Sequence, residues 1–226
     1  MAVAIQTSAT TNWSTGNGTL TKPTGTVDND LLILAVGGDL AASESITYTA
    51  PAGFTELLAL TRSHATNAGT NLQVWYKVAS SEGANYTITP SADNLTGASM
   101  LRIDGQHAST PFDVSSITAF DDNTEAKIPS ITTTVDNCLI IGISQWDQSK
   151  TLTTLPSGWT QQFHIDVSGL DQNGIYKTLA TAGATGVAQY NLSAAAPYVS
   201  AAISVQPPVR TPPFSNPLIF QDPGLL

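Results

Sequence analysis

Apolar and polar residues alternate with a period of two along much of this chain. In Asn71-Leu72-Gln73-Val74-Trp75-Tyr76-Lys77-Val78, one face carries Leu72, Val74, Tyr76 and Val78, and the other Asn71, Gln73, Trp75 and Lys77. That pattern predicts a half-buried strand. Tyr86 and Ile88 alternate with Asn85, Thr87 and Thr89 in the same way, and Leu101 and Ile103 with Met100, Arg102 and Asp104. Two segments do not alternate: Leu31-Leu32-Ile33-Leu34-Ala35-Val36 and Leu139-Ile140-Ile141-Gly142-Ile143. Continuous apolar runs of this length predict central strands covered on both faces. Helical spacing is nearly absent, and Thr, Gly and Pro recur throughout.

The two apolar runs belong to a duplication. Thr26-Val27-Asp28-Asn29-Asp30-Leu31-Leu32-Ile33 returns as Thr134-Val135-Asp136-Asn137-Cys138-Leu139-Ile140-Ile141, and Pro51-Ala52-Gly53-Phe54-Thr55 as Pro156-Ser157-Gly158-Trp159-Thr160. Tyr76-Lys77 returns as Tyr176-Lys177, and Tyr86-Thr87-Ile88 as Tyr190-Asn191-Leu192. Turns, buried strands and aromatic anchors repeat; no acid, base or nucleophile repeats with them. Strands are expected near 10–22, 30–38, 54–62, 71–79, 84–90 and 97–104 in the first copy. In the second they are expected near 114–133, 138–146, 159–166, 173–180, 187–193 and 198–206. Short strands punctuated by Gly, Pro and Asn indicate an all-β fold, a jelly-roll-like antiparallel β-sandwich. Residues 1–206 would form it from two repeats, about 1–105 and 106–206, with two tandem small sandwiches as the alternative.

Residues 207–226 break the pattern. Gln206-Pro207-Pro208-Val209-Arg210-Thr211-Pro212-Pro213 has no counterpart in the repeats and predicts an extended, Pro-rich arm. Phe214, Leu218, Ile219, Phe220, Leu225 and Leu226 make its end strongly apolar, which suits an arm that docks on its own domain or on another subunit.

Composition narrows the function classes. Charged residues are 11% of the 226, against roughly 25% in an average soluble domain, so the surface must be built from Thr, Ser, Asn, Gln and Gly. Net charge is −9 and the 8 Lys and Arg are scattered. Phosphate binding needs a basic patch, which argues against nucleic acid, and anionic membrane surfaces fail on the same ground. The N-terminus shows neither a basic n-region nor a long apolar h-region, so synthesis in the cytoplasm without a signal peptide is expected.

Candidate chemistry is sparse. Cys138 stands where the first copy has Asp30 and reads as a small, semi-buried residue. His64, His107 and His164 are isolated, without ligand spacing, so neither metal nor cofactor is expected. His164 and Asp166 could share a strand face, but no Gly-x-Ser-x-Gly elbow completes a triad. Asp28-Asn29-Asp30 has the oxygen density of a calcium loop, yet its copy Asp136-Asn137-Cys138 loses a carboxylate, and a turn explains both. Phe54 and Trp159 occupy one repeat position and read as packing anchors rather than sugar platforms. Trp75, on the polar face of its strand, is the candidate for an exposed aromatic contact. No catalytic site emerges, and the chain reads as a non-enzyme. A hydrolase would need two carboxylates facing each other across a cleft.

The repeated elements resemble a module of structural proteins of tailed bacteriophages, both tail-fibre-like and capsid-associated. The resemblance rests on the Asp-Asn turn before Leu31-Leu32-Ile33-Leu34 or Leu139-Ile140-Ile141-Gly142 and on the two Pro-x-Gly-aromatic-Thr motifs. It continues through Trp75-Tyr76-Lys77-Val78-Ala79 or Tyr176-Lys177-Thr178-Leu179-Ala180, and through the closing Asp104-Gly105 or Val205-Gln206-Pro207, covering about residues 20–206. It implies a structural virion protein with other capsid or tail subunits as partners. Such a protein would decorate or cement the capsid, or occupy another accessory position, as a homo-oligomer. The alternative is a tail-fibre or head-fibre module that binds a host-surface glycan.

Overall fold

A computed structural model describes residues 2–63, 68–147 and 150–208. The chain is all-β and antiparallel. The first repeat supplies β1 (Ala4–Trp13), β2 (Gly18–Thr21), β3 (Leu31–Leu40), β4 (Tyr48–Thr49), β5 (Thr55–Arg62), β6 (Gly69–Val78), β7 (Asn85–Pro90) and β8 (Thr96–Asp104). The second supplies β9 (Ile117–Ile128), β10 (Cys138–Asp147), β11 (Leu152–Thr154), β12 (Thr160–Val167), β13 (Leu170–Leu179) and β14 (Ala188–Val205). One large sheet runs β1-β8-β3-β6-β5, and the other runs β14-β10-β13-β12, with β9 and the short β11 also paired to β14. The order is the same in both: β9 stands for β1, β14 for β8, β10 for β3, β13 for β6 and β12 for β5.

The two large sheets pack face to face. Leu31, Ile33, Ala35, Leu72 and Val74 from one meet Leu139, Ile141, Ile143, Val199 and Ile203 from the other in a shared core. Each sheet is also covered on its outer face. In the first repeat the small sheet β2-β7-β4 places Leu20, Tyr48, Tyr86 and Ile88 on Leu32, Leu34, Val36 and Met100. In the second, Ala126, Ile128, Tyr190 and Leu192 cover Cys138, Ile140, Trp146 and Ala202. Alternate residues of β3 and β10 thus enter different cores, which is why neither run shows a polar partner face. Each fully buried Leu or Ile there contributes about 1.5–3 kcal/mol relative to exposure.

The strand map differs from expectation in the short β4 and β11, which were not expected, and in three longer elements. The expected strand at 10–22 is two, β1 in the large sheet and β2 in the small one, separated by a turn at 14–17. The expected strands at 187–193 and 198–206 are a single β14, which crosses from the outer layer to the large sheet through a register shift between Asn191 and Ala196. β6 is buried on both faces, not one: Asn71 and Gln73 lie beneath the small sheet with Trp75. Their side chains take up its backbone groups. Asn71 Nδ2 donates to the Ile46 carbonyl at 2.6 Å, and Gln73 Oε1 accepts from Tyr48 N–H at 2.8 Å.

Both Asp-Asn turns have one geometry. Asn29 and Asn137 are left-handed, at φ 74° and 60°. Asp28 Oδ1 accepts from Ser81 N–H and Asp136 Oδ1 from Ala182 N–H, each at 2.7 Å. Asn29 N–H donates to Ala79 O and Asn137 N–H to Ala180 O. The first carboxylate of each turn therefore closes a backbone bond in both copies.

The copies diverge one residue later. Asp30, 2% exposed, pairs with Arg102 at 2.6 Å. The matching positions hold Cys138 and Ser204, both fully buried. Gly37 and Gln145 are matched too, and they touch: a Cβ at Gly37 would lie 2.6 Å from Gln145 Oε1 and 2.5 Å from the Asn71 carbonyl. Where a position faces its own counterpart across the shared core, one copy must be small.

Asp30→Cys alone strands Arg102 and is expected to cost about 3 kcal/mol, as for one broken partner of a buried pair. Adding Arg102→Ser, which reproduces the second repeat, should recover most of the loss in a urea double-mutant cycle. Additive losses would show that the pair does not act as a unit. Gly37→Ala should cost about 1–3 kcal/mol by overpacking against a backbone carbonyl that cannot yield.

Candidate functional site

The last strand ends at a fixed point. Gln206, just past β14, is held by the linker between the repeats: its N–H donates to Pro111 O at 2.9 Å and its carbonyl accepts from His107 N–H at 3.0 Å. Its side-chain amide donates to the Thr110 carbonyl and, at 2.9 Å, to Thr110 Oγ1. His107 Nδ1 in turn lies 2.9 Å from the Thr110 hydroxyl and accepts from Thr110 N–H at 3.1 Å, so this histidine shapes the linker. Beside this junction lies a cleft of about 240 Å³ lined by Asn29, Val78, Asp104, Gly105, Gln106, Ala108 and Pro208. The arm residues Phe214, Leu218, Ile219, Phe220, Leu225 and Leu226, like His64, lie outside the described residues.

Trp75 corrects an expectation. It is 5% exposed and sits in the outer core of the first repeat, so it offers no surface contact. Its alternation with Val74 and Tyr76 was real, but both faces of β6 are covered. Phe54 and Trp159 are half-buried, each following a turn with glycine at φ 84° or 77°. Phe54 stacks edge-on against Tyr86 at 5.6 Å, and Lys177 Nζ lies over the Trp159 ring at 4.7 Å. Burial holds the Lys177 ammonium below its ordinary pKa, and its Nζ donates to Thr185 O at 2.8 Å.

A titratable cluster does assemble, at the β12–β13 hairpin. Asp166 pairs across the strands with Asp171, and His164 with Asn173. The three chemically active side chains share the outer face of the sheet. His164 Nε2 lies 2.9 Å from Asp171 Oδ1, and the ligand atoms of His164, Asp166 and Asp171 all fall within 4.8 Å of one another. Asp171 is 1% exposed, while His164 and Asp166 are open to solvent on the edge strand. Burial pushes the Asp171 carboxyl above its ordinary pKa and Asp166 adds to the rise; the bond from His164 opposes it. Two carboxylates thus meet, one open on the edge strand β12 and one buried on its neighbour β13. His164 and Asp166 were visible two residues apart in the sequence. Asp171 was missed, although Ser168-Gly169 between two alternating runs is a two-residue hairpin signal that sets this register.

Compared with protein-family models, curated proteins and solved structures, the chain matches none.

Cys138 is fully buried, with Sγ 3.4 Å from the Val135 carbonyl. Burial, reinforced by Asp113, pushes its thiol up to about 12. In native protein at pH 8 it should resist a thiol-reactive disulfide reagent that labels it fully in denaturant. Because the folded pKa lies above the unfolded one, Cys138 favours folding while the unfolded thiol is protonated. That contribution is lost as pH rises above about 8.5. Rapid native labelling at pH 8 would contradict this burial.

Proposed function

We propose that this protein is a structural component of a tailed-phage virion, a capsid decoration or cement protein or another accessory subunit, and not an enzyme. The two large sheets packed face to face are read as one jelly-roll-like sandwich built from the two repeats. The observation that carries the proposal is the anchored exit at Gln206. Its backbone and amide bonds fix the point from which the apolar, Pro-rich segment begins, and a fixed origin is what an attachment arm needs.

A second feature supports attachment through strand edges. Among the described residues β9 pairs only with β14, leaving its other backbone edge unpaired by any named strand. Ile117 and Phe120 on this strand are 40% and 59% exposed. An edge strand that displays apolar side chains is a template for another chain, and homo-oligomers or neighbouring capsid or tail subunits would use it. Glycan binding is less favoured because the tryptophans offer few open faces: Trp75 and Trp146 are buried and Lys177 covers Trp159.

Deletion of residues 208–226 should abolish incorporation into particles while leaving the β circular-dichroism spectrum and the melting transition of the sandwich intact. Normal incorporation of the folded, truncated protein would sink the proposal.

A further inference from the structure

We propose that His164, Asp166 and Asp171 form a binding site for a divalent first-row transition ion such as Zn²⁺. Directly opposed carboxylates on one sheet face repel each other, yet neither Asp166 nor Asp171 is ion-paired with Lys or Arg among the described residues. The group recorded beside them is the imidazole of His164. The separation of 2.9 Å between its Nε2 and Asp171 Oδ1 fits a hydrogen bond. It also lies near the spacing of two neighbouring ligands on one ion, about 3.0 Å at octahedral and about 3.4 Å at tetrahedral angles when each bond is about 2.1 Å.

The buried member of the cluster supplies the second observation. Asp171 Oδ2 is sealed from solvent and accepts no hydrogen bond of ordinary geometry among the described residues, although the Trp146 side chain lies close enough to favour the carboxylate. Desolvation outweighs what His164 and Trp146 return to this carboxylate, so its burial is only partly compensated. The first repeat shows what the same scaffold does when the position is purely structural. By strand register Asp171 corresponds to Asn71, and His164 and Asp166 correspond to Ala59 and Thr61. Asn71 is as buried as Asp171, and both ends of its amide are used: Oδ1 accepts from Gly38 N–H at 2.7 Å and Nδ2 donates to Ile46 O. Only the second copy places an ionisable, incompletely bonded side chain there, and only that copy has a histidine and a second carboxylate beside it.

The donor set decides the ion. One imidazole nitrogen with two carboxylate oxygens suits Zn²⁺, Mn²⁺ or Co²⁺, whereas Ca²⁺ and Mg²⁺ prefer oxygen alone. His164 and Asp166 lie on the open edge strand, so an ion reaches the site without strand displacement, and water completes its coordination.

The test is calorimetric titration of the full chain, stripped with chelator, with ZnCl₂ in a non-chelating buffer at pH 7.5. One ion per chain should bind, and excess Mg²⁺ or Ca²⁺ should not compete. His164→Gln and Asp166→Asn, both at exposed positions, should each weaken binding at least ~10-fold while melting like the parent protein. His107→Gln, in the linker, should bind as the parent does. Co²⁺ should develop visible d–d absorption that is lost in His164→Gln. Absence of stoichiometric Zn²⁺ binding, or unchanged binding in folded His164→Gln and Asp166→Asn, would overturn the site.

Discussion

Everything in this fold depends on two strands that are buried on both faces. β3 and β10 send one set of alternate residues into the core the repeats share and the other set into a core of their own. Neither large sheet could exist in water alone: exposed, its inner face would be an apolar surface far larger than a soluble monomer tolerates. The shared core therefore joins the repeats by the same hydrophobic term that folds each of them, and the low charge content is affordable because so much of each sheet is internal.

Duplication constrains the scaffold and releases the rest. The Asp28 and Asp136 turns keep the same carboxylate-to-amide bond and the same left-handed asparagine. The next position differs: Asp30 pairs with Arg102, whereas Cys138 Sγ reaches the Val135 carbonyl and Ser204 Oγ accepts from Val114 N–H. Gly37 and Gln145 diverge because identical large residues could not occupy facing positions.

The architecture was legible wherever burial and polarity coincide. The apolar runs at 31–36 and 139–143, the repeated turns and the all-β class could be read from residue order alone. β6 could not, because Asn71 and Gln73 are polar side chains that replace missing backbone partners of a covering sheet, and alternation reports polarity rather than exposure. β4 and β11, of two and three residues, are too short to show a period. The continuity of β14 was hidden by Ala194–Pro197, where a proline sits beside the register shift. In the hairpin cluster, His164 and Asp166 were adjacent in sequence terms, but Asp171 enters only through strand register, which is a tertiary fact even when a Ser-Gly turn announces it.

β14 is an 18-residue strand hydrogen-bonded to β9 on one side and to β10 on the other, and its C-terminal end is tied to the inter-repeat linker. Bonds in an antiparallel ladder run perpendicular to the strands. Tension applied at Gln206 along the strand axis would load both ladders in shear, all bonds at once, instead of peeling them one by one. As a mechanical element, this strand is built to hold a load delivered at its C-terminal end.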